Sequence, residues 1–160
     1  DLLLEAFRRL TYKDVVLIIV GSGPAQESVI QHSVEVNKRV IFIEGIYEDM
    51  ELAKYYMIAD VVVFPGYATL SLYFALCFGK AIITSSYGNE AGYITDGING
   101  EVYQYGDVED LSERIEKLLR DENLRRRYGQ AGERLVQEKI GVQNMVNTIV
   151  DVIRKQAGKC

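Results

Sequence analysis

The sequence has few cysteines, no long apolar segment and no excess of positive charge, and each shortage excludes a class of protein. Two cysteines, Cys77 in an apolar predicted helix and Cys160 at the last position, do not make a disulfide framework. They are typical of a reducing compartment, so we expect a cytoplasmic protein. The longest apolar runs, such as residues 15–20, have the length of strands, and no segment approaches the ~20 apolar residues of a membrane span. No signal peptide opens the chain, and the sequence predicts a soluble protein.

Acidic residues outnumber basic ones, 23 to 18, which gives a formal net charge of −5. This balance argues against nucleic-acid binding, which normally needs a clustered basic face. Positive charge does gather at Arg125, Arg126 and Arg127, on a polar predicted helix. The simpler interpretation of this cluster is a solvated helix face, and the alternative is docking to an anionic membrane surface or a partner.

The composition is that of one globular domain. At 160 residues, with 48% hydrophobic and 26% charged residues, the chain is long enough to bury a core without metal or disulfide support. Asp1 begins directly in a helical pattern, with no strand or capping loop before it. This start predicts that residues 1–160 are one domain, cut at its N-terminus from a longer chain.

Short runs of Val and Ile alternate with helical patterns along the first half of the chain. The runs are nearly continuous rather than alternating, as in strands buried on both faces, and each is followed by a turn signal. The predicted strands are residues 15–20, 40–44, 61–64 and 81–85, and the predicted helices are residues 25–36, 50–59 and 69–78, with a short helical turn after Glu90. Strands that alternate with helices imply right-handed crossovers and a parallel sheet.

After the fourth run the pattern becomes mainly helical. A fifth extended segment, residues 100–105, follows a stretch of turn-forming residues. Asp107 is a good N-cap for a helix that carries Leu111, Ile115, Leu118 and Leu119 at helical spacing. Further helices are predicted over residues 123–138 and 142–157. The sequence therefore predicts a Rossmann-like α/β domain with a doubly wound parallel sheet and C-terminal helices.

In doubly wound sheets the ligand lies outside the carboxyl ends of the strands. Four loops are predicted there, at residues 21–23, 45–47, 66–71 and 85–90. Glycines such as Gly21 and Gly23 let the backbone approach a ligand closely, and unpaired N–H groups at a helix start favour an anionic phosphate. Thr69, Leu70 and Ser71 are therefore predicted to seat a phosphate through backbone amides and two hydroxyls. The alternative is that Thr69 only caps its helix, because capping uses the same geometry.

The Gly21-Ser22-Gly23 turn superficially matches a dinucleotide fingerprint, but Gln26 stands where a third glycine belongs. No acidic ribose ligand stands out at the end of the second strand other than Glu44. A nicotinamide cofactor is therefore a minor alternative, and a Walker-type phosphate loop is absent.

Several segments, taken in order, carry a family resemblance. They are residues 1–7, 17–24 with Gly21-Ser22-Gly23-Pro24, 40–45, Tyr55-Tyr56, 59–66 with Phe64-Pro65-Gly66, 75–84 with Phe78-Gly79-Lys80, and 90–100 with Thr95-Asp96-Gly97. Together they resemble the C-terminal, nucleotide-sugar-binding domain of GT-B glycosyltransferases of the family-4 type. The resemblance covers nearly the whole chain, and the ordered set is more specific than any one segment.

The resemblance implies one half of a GT-B fold and a retaining transfer of a sugar from a UDP- or GDP-sugar donor held in this domain. It places Ile46 and Tyr47 beside the nucleobase, the amides of residues 69–71 at the diphosphate, and Asn89 and Glu90 near the sugar or phosphate. No cofactor or metal is implied, the chain has no Asp-x-Asp pair to carry a metal, and no catalytic residue is assigned within it. His32 is expected to be a surface or packing residue rather than a general base.

The sequence departs from this family in two ways. Many members carry two glutamates eight positions apart, one for the sugar and one for the ribose, and the matching positions here are Gly66 and Phe74. Neither side chain can accept a hydrogen bond, although Pro65-Gly66 followed by Leu70-Ser71 resembles a branch that also lacks the first glutamate. Glu90 is either a substitute or a solvated loop carboxylate.

The second departure is that the family's phosphate-binding Arg and Lys, and its acceptor domain, precede the position of Asp1. Because catalysis needs cationic groups against the leaving diphosphate, we expect this chain alone to be inactive.

The sequence thus predicts the donor-binding domain of a hexosyltransferase-type enzyme in cell-surface polysaccharide or glycolipid synthesis. Its expected partners are the nucleotide-sugar donor and the N-terminal acceptor-binding domain of the same protein, with peripheral contact of the full-length protein at the inner membrane surface. One alternative is a non-catalytic GT-B-like interaction module, favoured by the loss of both glutamates. The other is half of a sugar-nucleotide epimerase.

Overall fold

The computed structural model describes residues 2–35, 40–68, 70–87 and 92–141, in which strands and helices alternate. The elements are α1 (Leu2–Arg9), β1 (Leu17–Val20), α2 (Gln26–Glu35), β2 (Val40–Ile43), α3 (Asp49–Ile58), β3 (Val61–Phe64), α4 (Leu70–Cys77), β4 (Ala81–Ser85), β5 (Glu101–Tyr103), α5 (Val108–Arg120) and α6 (Glu122–Leu135). A π-helical segment, Val136–Ile140, follows α6.

The observed elements agree closely with the predicted ones. Strands β3 and β4 have the predicted bounds, and the other strand ends differ from prediction by two residues or fewer. The helical turn predicted after Glu90 is not formed by residues 92–95, which are irregular. The helix predicted over residues 142–157 lies outside the described residues.

All strand pairs are parallel, because each consecutive pair is joined through a crossover rather than a hairpin. In one sheet β1 pairs with β2, with Leu17 opposite Val40. In the other, the order is β3-β4-β5, with Val61 opposite Ala81 and Ile83 opposite Glu101. The doubly wound parallel α/β architecture is confirmed, with the strands divided between two sheets.

Two apolar clusters lie on opposite faces of the strands, and β4 contributes to both. Ala81 and Ile83 pack with residues of α1 and α5, whereas Ile82, one step along the strand, packs with α4. Every residue of β4 is buried, which explains why its apolar positions do not alternate. The first cluster also takes side chains from β1 and β3, so one helical layer covers both sheets.

Helix α4 ends in a glycine turn that sets the start of β4. Gly79 has a φ of +58°, and the N–H groups of Gly79 and Lys80 donate to the carbonyls of Leu76 and Ala75 at 3.0 and 3.1 Å. This pattern is the Schellman motif, which needs a left-handed residue that glycine supplies without strain. Helix α6 packs directly on this turn, because a Cβ added at Gly129 would lie 1.9 Å from the Gly79 carbonyl oxygen.

The two C-terminal helices begin at capping aspartates. The side chain of Asp107 accepts hydrogen bonds from the N–H groups of Glu109 and Asp110, both at 3.0 Å, so the predicted N-cap is confirmed. Asp121 accepts from the N–H of Leu124 at 2.8 Å at the start of α6. Leu111, Ile115 and Leu118 face the first cluster as expected.

Candidate ligand-binding loops

In each sheet, the loops that follow the carboxyl ends of the parallel strands lie at one edge. Residues 21–23 follow β1, residues 45–47 follow β2 at the same edge, residues 65–68 lead from β3 into α4, and residues 86–87 follow β4. In doubly wound folds this edge is where ligands bind. Thr69, Asn89 and Glu90, which the sequence also placed here, lie outside the described residues.

The loops after β1 and β2 contact each other. The N–H of Gly21 donates to the carbonyl of Ile43 at 3.1 Å, and the hydroxyls of Ser22 and Tyr47 lie 3.3 Å apart. A Cβ added at Gly45 would lie 2.5 Å from the Ser22 hydroxyl oxygen, so a larger residue at this position would require the Ser22 side chain to move. The structure therefore brings together the glycine-rich turn and the Gly45–Ile46–Tyr47 loop.

These two loops leave open backbone positions and one exposed ring. A Cβ added at Gly21 or Gly23 would meet nothing within 4 Å, so the backbone there is open to an approaching group. Ile46 is half-buried, whereas the Tyr47 side chain is 91% exposed. An exposed aromatic ring beside open backbone is suited to contact with a planar ligand.

The loop after β3 leads directly into α4, whose first residue is Leu70. The first N–H groups of a helix have no partner within the helix, and they form its positive end. Leu70, the first residue of α4, is 64% exposed, so its side chain does not cover this end of the helix by packing into the core. The hydroxyl of Tyr56 donates to the carbonyl of Ser71 at 3.0 Å, which ties the first turn of α4 to α3.

Two buried hydroxyls hold the loop before α4. The hydroxyl of Tyr103 donates to the carbonyl of Pro65 at 2.5 Å, and the hydroxyl of Ser85 donates to the carbonyl of Gly66 at 3.3 Å. Burial, with smaller contributions from the charges of Tyr105 and Asp110, raises the pKa of Tyr103 to about 12, so the phenol keeps the proton that it donates. Ser85 belongs to the predicted loop at residues 85–90, but its bond to Gly66 and the role of Tyr103 were not predicted, and the only signal was a hydroxyl at the last position of each strand.

Three tyrosine rings form a row on the solvent side of this loop, and the first of them, Tyr67, belongs to the loop. The rings of Tyr67 and Tyr87 have centroids 6.3 Å apart, and those of Tyr87 and Tyr105 lie 5.3 Å apart. Each tyrosine follows a strand of the second sheet by two or three residues, and each is exposed. The row therefore follows from the sheet order rather than from spacing along the chain.

The two positions that match the family's glutamates have no polar side chain, since they are Gly66 and Phe74. A Cβ added at Gly66 would meet nothing within 4 Å. Phe74 packs into the second cluster, where its ring lies 6.4 Å from that of Tyr56. Phe74 is therefore part of the packing between α3 and α4.

Two other groups singled out in the sequence lie away from these loops. His32 is exposed on α2, and its Nδ1 lies 2.7 Å from the Ser28 carbonyl oxygen, as expected of a surface residue. Arg126 and Arg127 are exposed, as a solvated face requires. The prediction is wrong for Arg125, which is half-buried and donates to the carbonyls of Leu118 and Leu119 at the end of α5.

A cavity of about 300 Å³ lies elsewhere, between the start of β5 and α5. Its central carboxylate, Glu101, is buried and accepts hydrogen bonds from Arg114 at 2.8 Å, Lys117 at 2.6 Å and the Tyr128 hydroxyl at 2.6 Å. Arg114 also pairs with Asp96 and Asp110. Three carboxylates thus share two cations, and the side chains that line the cavity form an ion-pair network that joins β5 to α5 and, through Tyr128, to α6.

The part of the chain that the structure describes offers no cluster of three or more His, Cys, Asp or Glu side chains able to hold a metal ion. Within the same residues, none of the helices has both the length and the apolar character needed to cross a membrane.

Comparison with known proteins gives a family. Residues 1–135 match the family model described as glycosyl transferases group 1. The chain is 26% identical over 150 residues to the capsular polysaccharide biosynthesis glycosyltransferase CapM of Staphylococcus aureus, a match that covers 88% of this chain and 38% of CapM.

Solved structures share the fold. The C-terminal domain of LpcC, a group 1 glycosyl transferase from Francisella tularensis, superposes with a TM-score of 0.78 and 22% identity, over 88% of this chain and 78% of that domain. Anabaena HepE, solved in complex with UDP, superposes with a TM-score of 0.82 and 16% identity, over 96% of this chain and 44% of HepE. HepE has also been solved in complex with UDP-glucose.

The chain spans about a third of the length of the curated relatives that it matches, at 33% and 38%. Its fold is that of the C-terminal domain of GT-B glycosyltransferases, as the sequence resemblance implied. Since the family model covers most of the chain, this protein belongs to the glycosyl transferases group 1 family.

Proposed function

We propose that this chain binds the nucleotide-sugar donor of a retaining glycosyltransferase, with a UDP- or GDP-sugar as the donor. The observation that carries the proposal is the set of carboxyl-edge loops, of which one opens directly into the start of α4. Membership of the glycosyl transferases group 1 family supports it. So does the likeness to HepE, which was solved with UDP and with UDP-glucose.

The start of α4 is the proposed diphosphate seat. The N–H groups of Leu70 and Ser71 belong to the first helical turn, where no intrahelical acceptor exists and the helix dipole favours an anion. The carbonyls of Pro65 and Gly66, which would repel a phosphate, are already bonded to Tyr103 and Ser85. Thr69 would add its amide and hydroxyl to the same seat.

The paired loops after β1 and β2 are the proposed nucleobase site. Tyr47 offers an exposed ring, and its contact with Ser22 joins the two loops into one surface. Ile46 adds a half-buried apolar side chain beside it. Gly21 and Gly23 leave space for the ligand at the backbone, and Asn89 and Glu90 are proposed to face the sugar or phosphate.

Catalysis requires groups that this chain does not supply at its loops. The candidate loops contain no Lys or Arg; they are residues 21–23, 45–47, 65–71 and 85–90. Charge that develops on a leaving diphosphate needs preorganised cationic groups, so we propose that the segment just before the position of Asp1 provides them in the full-length protein. The proposed reaction needs no metal or other cofactor.

The similarity to a capsular polysaccharide enzyme favours a hexosyl transfer in cell-surface polysaccharide or glycolipid synthesis. We place the full-length protein in the cytoplasm, in peripheral contact with the inner membrane surface. The acceptor and the linkage would be set by the other half of the protein.

A calorimetric titration of the full-length protein with UDP, GDP and ADP tests donor binding. We expect saturable binding of either UDP or GDP in the micromolar to millimolar range and much weaker binding of ADP. An absence of saturable binding for both UDP and GDP would refute the proposed function.

A second candidate is a non-catalytic interaction module. It is favoured because Gly66 and Phe74 stand at the two positions where many family members have glutamates that accept hydrogen bonds from the donor. Release of UDP or GDP from a matching nucleotide sugar by the full-length protein distinguishes the two candidates. Turnover excludes the interaction module, whereas binding without turnover would favour it.

A further inference from the structure

We propose that Tyr103 is a positioning residue for the donor diphosphate, which it affects through the loop between β3 and α4. This inference rests on the proposed function, because it assumes that the start of α4 seats the diphosphate. The Tyr103 side chain is fully buried beneath the loop, so we do not expect it to contact the ligand itself. Its effect is exerted through the carbonyl of Pro65.

Two adjacent strands hold two consecutive peptide groups of this loop. Ser85 is the last residue of β4 and Tyr103 the last residue of β5, and the two lie opposite each other in the sheet. Tyr103 bonds the Pro65 carbonyl at 2.5 Å and Ser85 bonds the Gly66 carbonyl at 3.3 Å. Both hydroxyls are therefore fixed by the rigid sheet and define where the loop leaves it.

The two hydrogen bonds flank Gly66, the residue of this loop with the greatest backbone freedom. Gly66 has no side chain, and a Cβ at that position would meet nothing within 4 Å, so no side-chain contact restricts the backbone dihedral angles there. Small rotations at Gly66 would redirect residues 67 and 68 and with them the approach to α4. A hydrogen bond on each side of this flexible position limits those rotations.

The exposed tyrosine row adds a weaker contact on the outside of the same loop. Tyr67 lies in the loop, and its ring contacts Tyr87 beyond β4. Because both rings are largely exposed, this contact restricts the loop less than the buried hydroxyls do. A substitution that removes one of the buried hydroxyls should therefore affect the loop more than one that removes an exposed ring.

Tyr128 provides a matched control for Tyr103. It is also a buried tyrosine, and its hydroxyl also makes a hydrogen bond, but the acceptor is Glu101 at the other end of β5. Removing either hydroxyl costs one buried hydrogen bond and leaves the ring in place. Only the loss at Tyr103 releases the loop before α4.

The test compares Tyr103→Phe and Tyr128→Phe in the full-length protein, with UDP and GDP as calorimetric probes and steady-state kinetics where turnover is measurable. For Tyr103→Phe we expect nucleoside diphosphate affinity to fall five- to tenfold and the donor KM to rise by a similar factor, while the acceptor KM stays within twofold. Tyr128→Phe should leave both within twofold. A Ser85→Ala variant should weaken diphosphate binding in the same direction as Tyr103→Phe.

The inference is overturned if Tyr103→Phe binds the diphosphate as tightly as the native protein does. It is also overturned if both tyrosine variants weaken binding equally, because that result indicates a general loss of stability. If the native protein itself binds neither UDP nor GDP, the proposed function fails, and that outcome is visible before any variant is compared.

Discussion

Gly129 shows how one residue can decide the packing of a helix. A Cβ at this position would lie 1.9 Å from the carbonyl oxygen of Gly79, which belongs to backbone that is itself held by the Schellman turn. Neither partner can move without disturbing α4 or β4. The close contact between α6 and this turn therefore depends on the absence of a side chain.

We expect Gly129→Ala to lower the free energy of unfolding by about 3 kcal/mol, even though alanine favours helix formation. The measurement is urea denaturation of the chain followed by circular dichroism. Gln130→Ala, an exposed neighbour on the same helix, should change the free energy by less than about 0.5 kcal/mol. Equal stability of the two variants would contradict the close packing.

At the scale of elements, the first turn of α4 carries the proposed phosphate contact. Proline is tolerated at the first residue of a helix, so Leu70→Pro should keep the fold while it removes one backbone N–H. Hydrogen bonds to charged groups contribute about 1.5–3 kcal/mol, so we expect affinity for UDP or GDP to fall at least tenfold by calorimetry.

The matched control is Glu122→Pro at the first residue of α6. Its preceding residue, Asp121, has φ −120° and ψ 91°, an extended conformation that suits a residue before proline. This variant removes an equivalent helix-start amide remote from the loops, and nucleotide affinity should stay unchanged. Native affinity in Leu70→Pro would count against the phosphate seat.

A hydrogen-bonded carboxylate links the segment after α1 to α5. Glu116 accepts from the N–H and hydroxyl of Thr11 at 3.0 and 2.5 Å and from the N–H of Tyr12 at 3.3 Å, and it pairs with Arg120. Burial acts to raise the pKa of Glu116, but the hydrogen bonds from Thr11, Arg120 and Tyr12 outweigh it and lower the pKa to about 2.

This lowered pKa makes the stability of the chain depend on pH in a defined window. A carboxylate whose pKa is lower in the folded state stabilises fully above its unfolded pKa, about 4.5, and the stabilisation is lost as pH falls toward 2. The free energy of unfolding of the native chain should therefore fall between pH 5 and pH 2.5. Because Glu116 is partly solvated, we expect the free energy of unfolding of Glu116→Gln to fall by about 1 kcal/mol less over the same range. Parallel stability profiles in urea denaturation would show that the link contributes nothing.

At the scale of the whole molecule, the candidate ligand-binding loops lack the cations that the proposed reaction needs. We therefore expect the isolated chain to bind UDP or GDP but to release no sugar from a nucleotide sugar, whereas the full-length protein does so. An assay of released nucleoside diphosphate checks this expectation. Turnover by the isolated chain would mean that its own loops stabilise the leaving group.

Local chemistry explains which parts of this fold were predictable. Strand β4 and the Asp107 cap were identified because apolar runs and capping residues act over a few neighbouring positions. The loops after β1, β2 and β3 were identified because parallel strands always place such loops at one edge. The position of Arg125 was not, since a basic run on a polar helix does not show which guanidinium turns inward.

The amino-acid sequence by itself determined the α/β alternation, the parallel strands and the family, because each depends on patterns within short segments or on their order. Only the tertiary structure decided that Tyr103 holds Pro65, that Glu101 joins Arg114, Lys117 and Tyr128, and that α6 rests on Gly79. These partners are 13 to 50 residues apart along the chain. Their contacts arise from how sheets and helices pack, and the periodic pattern of the sequence shows which face of an element is buried but not which side chains meet there.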